Sequence, residues 1–349
     1  MELLKGSDFM PIVYKRSNDS VDFNQVVYIL SKAFRGRKFE DIELIKKSFL
    51  SSIKVVYAYD DEKLIGFARA IGDNTWASIY NVALLPEYQG KGVGKAIILD
   101  LIEQLGNRHI FTFTHPKTVS LYERMNFRRT KMAFKYVGEE LDKLVKWQEE
   151  NGFLLPLGYK FENEYDKPVS FHEKKQVKKI EGNIDIRYSS NLNDTTFEEI
   201  NDLLGDAFNE KRDLNQTIND FKLSQNFELA FDGKKLVGIA RLVTDGVKEA
   251  MLLNVATLSS YQGRGIALEI IKRLAEQVPG YEIFLHAHPG SYSFYNSKKE
   301  FRRFQTAFAL EPNNFPKDIE EAFFLPIGYR FPNEYYNEEM KYYKGKIYD

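Results

Sequence analysis

One stretch of this chain is written twice. YQGKGVGKAIILDLIEQL at 88–105 returns as YQGRGIALEIIKRLAEQV at 261–278, with 9 of 18 positions identical. The likeness runs on in both directions. EKLIGFARA (62–70) returns as KKLVGIARL (234–242), and IYNVALL (79–85) as LLNVATL (252–258). HPKTVSLY (115–122) returns as HPGSYSFY (288–295), and FRRTKMAF (127–134) as FRRFQTAF (301–308). The tails match too, LPLGYKFENEY (155–165) against LPIGYRFPNEY (325–335). The offset is 172 to 174 through most of the unit and 170 at the tail. Solenoid repeats run ~20–50 residues, so a period this long is a duplicated domain. A chain of 349 residues also exceeds the usual size of one core. We therefore expect one domain at 1–178 and another at 179–349, with the seam in the charged stretch FHEKKQVKKIEGN (171–183).

Each unit reads the same way. A strand (IVYKR, 12–16; IDIRY, 184–188) leads into a helical region (22–34; 195–208). Two strands follow around a turn, which in the second copy carries the hairpin pair Asp232-Gly233. Next come an apolar strand, a glycine turn and a helix. In the first helix Val93, Ile97, Ile98, Leu101, Ile102 and Leu105 form one stripe, and Gly106 stops it. Ile266, Ile270, Ile271, Leu274 and Val278 do the same in the second, before Pro279-Gly280. Another strand and a short helix containing Tyr122 or Tyr295 complete an α/β core whose sheet is buried on at least one face.

Composition removes several function classes. Lys plus Arg (49) nearly cancel Asp plus Glu (50), which gives no electrostatic case for nucleic acid or an anionic membrane. The absence of cysteine removes disulfides, thiolate metal sites and cysteine nucleophiles. No other His or carboxylate recurs at ligand spacing, so no metal is expected. The first residues, MELLKGSDFMPIVYKRS, lack the apolar run of a signal peptide, and no stretch approaches ~20 apolar residues. The expectation is a cytoplasmic protein.

The glycine turn carries the chemistry. Glycines let successive N–H groups converge on one point, and a helix N-terminus adds unpaired donors and a partial positive charge. Together they make an anion cradle suited to phosphate, with Lys91, Lys95 and Arg264 adding charge. The pattern is not a dinucleotide fingerprint, because Lys95 and Leu268 stand where a third glycine is needed, and neither copy is a P-loop. Both copies satisfy Q-x-x-G-x-G/A, as Gln89, Gly92, Gly94 and as Gln262, Gly265, Ala267.

This motif after an apolar strand, with a downstream strand and an [LF]-Y helix, resembles the GNAT superfamily of acyl-CoA-dependent N-acyltransferases. The resemblance covers a core of about 130 residues in each half, plus an added tail. It implies an α+β fold of two tandem domains, each a mixed, largely antiparallel central sheet flanked by helices. It implies acetyl-CoA as co-substrate, its pyrophosphate held by the turn Gln89, Gly90, Lys91, Gly92, Val93, Gly94 and Lys95, and by Gln262, Gly263, Arg264, Gly265, Ile266, Ala267 and Leu268. It implies that Val82, Ala83, Leu84 and Val255, Ala256, Thr257 pair with the pantetheine arm, in a gap where this strand splays from the next.

The implied reaction brings a free amine to the acyl thioester, with Tyr122 and Tyr295 as acids to the leaving thiolate. His115 and His288 stand where many relatives have asparagine; an imidazole there can contact pantetheine or relay a proton, although a histidine capping the next helix is the plainer reading. No general base is evident, since Asn81 and Asn254 occupy positions where some relatives place an acid. Arg69 and Arg241 read as exposed strand arginines. The tails, with Tyr159 and Tyr329, are expected to pack over a sheet edge or between the halves, with a lid over the acceptor pocket as the other option. The acceptor is a small-molecule or peptide amine. The two halves form a pseudo-dimer within one chain, and homodimerisation is left open. The competing class is an acyl-CoA sensor or scaffold with one or both halves silent. In a third arrangement one half completes the other's acceptor site.

Overall fold

The computed structural model describes residues 11–34, 41–138, 142–161, 177–310 and 317–331. The seam expected at 171–183 lies partly outside them. In chain order the first repeat runs β1 (Val13–Lys15), α1 (Phe23–Ala33), α2 (Ile42–Leu50), β2 (Lys54–Asp60), β3 (Lys63–Gly72), β4 (Trp76–Leu84), α3 (Val93–Leu105), β5 (His109–Phe113), α4 (Val119–Glu123), β6 (Phe127–Arg129), β7 (Ala133–Tyr136) and α5 (Asp142–Glu150). The second runs β8 (Ile186–Ser189), α6 (Phe197–Phe208), α7 (Leu214–Lys222), β9 (Asn226–Asp232), β10 (Lys235–Thr244), β11 (Glu249–Thr257), α8 (Ile266–Gln277), β12 (Glu282–His286), α9 (Tyr292–Asn296), β13 (Phe301–Arg303), β14 (Ala307–Leu310) and α10 (Lys317–Phe323).

The helices begin where polar caps allow. Asp22 and Asp41 accept from the amides of Asn24 and Leu44 at the starts of α1 and α2. Thr196 and Glu199 form a reciprocal capping box at the start of α6. The stripe read from the sequence of α3 is the buried one, since Val93, Ile97, Ile98, Leu101 and Leu105 all lie inside, and Gly106 ends the helix at φ 62°. Helix α3 sits close to the sheet because Gly66 has no side chain: a Cβ there would lie 3.2 Å from Ile97 and 2.8 Å from the Ala83 carbonyl.

Two seven-stranded, mostly antiparallel sheets result, and each borrows a strand. One has the order β1-β2-β3-β4-β5-β14-β6, the other β13-β7-β12-β11-β10-β9-β8. Strand β7 of the first repeat lies between β12 and β13 of the second, with Leu285 opposite Phe134. Strand β14 of the second repeat lies between β5 and β6 of the first, with Thr112 opposite Phe308. Phe134 and Phe308 are fully buried, each in the core built mainly by the other repeat.

The sheets also meet directly. Ile71, Trp76, Tyr80 and Phe113 of the first repeat share a cluster with Val243, Met251, Leu253, Phe284 and Phe304. The tails cross over as well. The Leu155 amide donates to the Arg303 carbonyl (2.8 Å) and the Leu325 amide to the Arg129 carbonyl (3.0 Å), so each tail runs beside the other repeat's edge strand. Tyr159 and Tyr329 join Phe161 and Phe331 in one aromatic cluster shared by both tails. Burying apolar surface this way and covering an edge strand are one arrangement, which matches the packing expected of the tails.

The exposed reading of Arg69 and Arg241 is corrected. They are 3% and 0% exposed. Each donates to a carboxylate of the opposite repeat, Arg69 to Asp245 (2.7 Å) and Arg241 to Asp73 (2.5 Å). A strand arginine can be buried when every N–H finds an acceptor, and the acceptors here come from sequence-distant elements.

Candidate acyl-transfer site

The site is a fork in each sheet. Parallel pairing of β4 with β5 runs from Trp76↔His109 to Ile79↔Thr112 and then stops. Pairing of β11 with β12 runs from Glu249↔Glu282 to Leu252↔Leu285 and stops at the equivalent place. Beyond those points Val82, Ala83 and Leu84, and likewise Val255, Ala256 and Thr257, have no ladder partner on the β5 or β12 side.

A bulge sits at the base of each fork. Phe67 pairs with Ala83 but Arg69 with Tyr80, which leaves β4 one residue longer than β3 across the step. Asn81 absorbs the excess at φ 49°, and Asn254 does so in β11 at φ 52°. A bulge bends its strand and breaks local pairing, which accounts for the divergence that follows. Each asparagine accepts a 2.5 Å bond from the Nε of Arg69 or Arg241. Neither amide is a base, and both are committed to this contact.

At the open end of the fork lies the glycine turn. Gln89 donates to the Leu84 carbonyl (3.2 Å) and Gln262 to the Thr257 carbonyl (3.3 Å), tying each turn to the strand before it. Gly90 and Gly92 have φ 75° and 85°, Gly263 and Gly265 88° and 83°, and a side chain at any of them would be strained. The first intrahelical bond of α3 is from Ala96 to Gly92, so the amides of Val93, Gly94 and Lys95 have no acceptor within the helix. In α8 the first bond is from Glu269 to Gly265, which leaves Ile266, Ala267 and Leu268 in the same state. A Cβ built on any of the four turn glycines meets nothing within 4 Å, so it is the left-handed backbone and not a lack of room that calls for glycine there. These amides at a helix N-terminus form a cradle for a phosphate-sized anion.

The tyrosines lie beside the forks. Tyr122 is buried, and the side chains of Thr112 and Thr114 at the end of β5 lie near its hydroxyl. Its ring packs on Phe127 and on Phe308 of the other repeat. Burial raises its pKa, as it does for Tyr295, so both phenols hold their protons at neutral pH. Tyr295 packs on Phe301 and on the borrowed Phe134. In place of the two threonines the second repeat has Leu285 and Ala287.

His115 and His288 cap short helical turns. Their Nδ1 atoms accept from the amides of Lys117 (3.1 Å) and Gly290 (3.2 Å), which leaves the proton of the neutral ring on Nε2. Each ring meets a phenylalanine of its own tail edge-on, Phe153 or Phe323.

The turns differ in their cations. Lys91 lies over the Tyr88 ring. Arg264 instead donates to the carbonyls of Ile180 and Gly182, while Lys179 reaches the Ser259 carbonyl (2.6 Å). The segment leading into the second repeat therefore braces the second turn. Sequence reasoning missed this brace, Thr112 and Thr114, and the arginine–carboxylate pairs. Only the recurrence of Asp73 as Asp245, 172 positions on, signalled the last of these.

Known proteins share this pattern. A family profile described as "Acetyltransferase (GNAT) domain" matches residues 51–129, and one described as "Acetyltransferase (GNAT) family" matches residues 193–299. The first match spans the fork, turn and Tyr122; the second spans their counterparts. The chain is 32% identical over 121 residues to "Uncharacterized N-acetyltransferase ycf52" of Pyropia yezoensis, covering 33% of this chain and 70% of the relative. It is 30% identical over 134 residues to the protein of that name in Gracilaria tenuistipitata var. liui, covering 36% and 73%. One solved structure is described as "A unique GCN5-related glucosamine N-acetyltransferase region exist in the fungal multi-domain GH3 beta-N-acetylglucosaminidase". It aligns with 86% of this chain and 38% of its own at a TM-score of 0.50 and 14% identity, a likeness of fold alone.

Proposed function

This chain belongs to the GNAT family of acetyltransferases, and on that premise we propose that it moves an acetyl group from acetyl-CoA to a primary amine by direct attack. The observation that carries the reading is the recurrence, in both repeats, of a fork, an anion cradle at its mouth and a buried protonated tyrosine beside it. Acetyl-CoA supplies the activated acyl thioester. The amides of Val93, Gly94 and Lys95, and of Ile266, Ala267 and Leu268, suit its pyrophosphate. The free edges of Val82, Ala83, Leu84 and of Val255, Ala256, Thr257 suit the amides of pantetheine. In the transfer the amine nitrogen bonds the carbonyl carbon, the carbon–sulfur bond breaks, and the Tyr122 or Tyr295 phenol gives its proton to the departing sulfur. A water or a carboxylate beyond the fork then takes the excess proton from nitrogen, and solvent returns a proton to the phenolate, which restores the tyrosine. His115 and His288, capping through Nδ1, offer Nε2–H as a donor to pantetheine.

A specific observation favours a second reading for the second half, in which it binds acyl-CoA without turnover. Leu285 and Ala287 remove the hydroxyls that flank Tyr122 in the first half, and Arg264 is occupied by backbone carbonyls.

The test is thiol release. With acetyl-CoA saturating, the full chain is expected to release CoA thiol in step with acylated amine for at least one class among polyamines, amino acids, peptide N-termini and protein lysines. Saturable binding with no amine-dependent release from any class would reject transfer and leave the sensor.

A further inference from the structure

Each fork is linked to the opposite half of the molecule by a buried arginine–carboxylate pair. Arg69 donates to four acceptors: Asn81 Oδ1 at 2.5 Å, the Ser48 carbonyl at 3.3 Å, Ser52 Oγ at 3.4 Å and Asp245 Oδ2 at 2.7 Å. Asp245 is equally committed, for its Oδ1 accepts from the amides of Val247, Lys248 and Glu249 at 2.8 to 3.0 Å. That fixes the turn between β10 and β11. The mirror arrangement joins Asn254, Arg241 and Asp73, with Asp73 Oδ1 accepting from the amides of Thr75 and Trp76 at 2.8 and 2.7 Å.

Asn81 and Asn254 are the left-handed bulge residues from which the forks diverge. Asparagine tolerates that conformation better than most residues, and the bond from the arginine Nε to Oδ1 fixes its side chain, and with it the bulge, against the buried guanidinium. The arginine in turn keeps its orientation only while its far side is neutralised, because an unpaired buried guanidinium is expelled or drags its strand. Both arginine–carboxylate pairs are buried from solvent, so bulk salt does not replace them.

We propose that Asp245 is a positioning residue for the first fork and Asp73 for the second, each acting across the pseudo-twofold through Arg69–Asn81 or Arg241–Asn254. The two acyl-CoA sites are thus built in trans, and a disturbance in one repeat's β-turn is felt at the other repeat's fork. This rests on the reading of the glycine turns as CoA sites.

The test is amide hydrogen exchange of the full chain, with and without coenzyme A, followed in peptides covering 90–95 and 263–268. In the unmodified protein CoA slows exchange in these segments. Asp245→Asn is expected to raise the CoA concentration needed for half-protection of 90–95 at least about 10-fold, while 263–268 shifts less than about twofold, since the disturbance is confined to one network. Asp73→Asn gives the converse with a smaller shift at 263–268, because Asp220 stays 3.9 Å from Arg241. The paired variant Arg69→Met with Asp245→Asn removes the buried charge together with its partner, so it folds, and it still loses protection at 90–95 alone. Equal loss in both segments, loss only in the mutated residue's own repeat, or no change in any variant overturns the proposal while leaving the CoA reading intact. No protection at either segment of the unmodified protein removes both.

Discussion

Tyr122→Phe lowers turnover at the first site by about 10² to 10⁴-fold, the usual contribution of a placed acid, with little change in acetyl-CoA affinity. The substitution removes one oxygen and keeps the ring, so the contacts with Phe127 and Phe308 stay. The threonines it leaves behind are not stranded: Thr112 Oγ1 also reaches the Ile79 carbonyl and Thr114 bonds Thr118. Unfolding stability therefore changes by at most about 1–2 kcal/mol, while the step in which sulfur departs loses its proton source. Steady-state kinetics with a fixed amine separate the two, since a loss confined to kcat marks an interaction made in the transition state. Tyr295→Phe has the same effect on the second site if that half turns over. Each single variant then keeps the other half's share of the total rate, and only the double variant loses it all. If the second half only binds, Tyr295→Phe leaves the total rate unchanged. Unchanged turnover in the double variant rejects the acid role at both positions.

His286→Phe changes acid stability more than any surface substitution. His286 is enclosed by Phe111, Phe113 and Phe284, and burial lowers its pKa from 6.5 to about 3. Between those values the unfolded chain binds a proton that the folded chain refuses. By linkage the contribution is complete above the unfolded pKa and is lost as pH falls toward about 3. At 1.36 kcal/mol per unit, stability falls by about 3 kcal/mol on going from neutral pH to about 4.5, from this residue alone. Phe113 occupies the equivalent place in the first repeat, which shows that a phenyl ring suits the interface. Overpacking shifts the absolute stability of the variant but not its pH slope. Asp220, raised to about 6 by burial, and Glu249, raised to about 8 by burial, titrate with the opposite sign in both proteins and cancel in the difference. Urea midpoints from pH 7.5 to 4.5 are expected to decline less steeply for His286→Phe; parallel curves would show that His286 protonates freely in the fold.

The elements that could be read in advance are those whose cause is local. Glycine at 90 and 92, the α3 stripe and the Asp232-Gly233 turn each act within a few residues, and each takes the form its sequence implies. The strand exchange was not legible. Strand β7 is four residues long, and alternation in AFKY says which face is buried but not which sheet receives it. Arg69 fails for the same reason, because its burial depends on Asp245, 176 positions away. Helices α2 and α7 are nine residues each and carry their apolar positions among charged or polar ones, so they too passed unseen. At the site the motif marks the cradle, whereas the inequality of the halves lies in Leu285, Ala287 and the Arg264 brace, outside the motif.

The most direct measurement is a crystal structure of the full chain grown with coenzyme A. The account predicts diphosphate oxygens within hydrogen-bond distance of the amides of Val93, Gly94 and Lys95, with pantetheine along Val82, Ala83 and Leu84 and its sulfur near the Tyr122 hydroxyl. A ligand seated elsewhere, with both glycine turns empty or filled by the protein's own side chains, would contradict it.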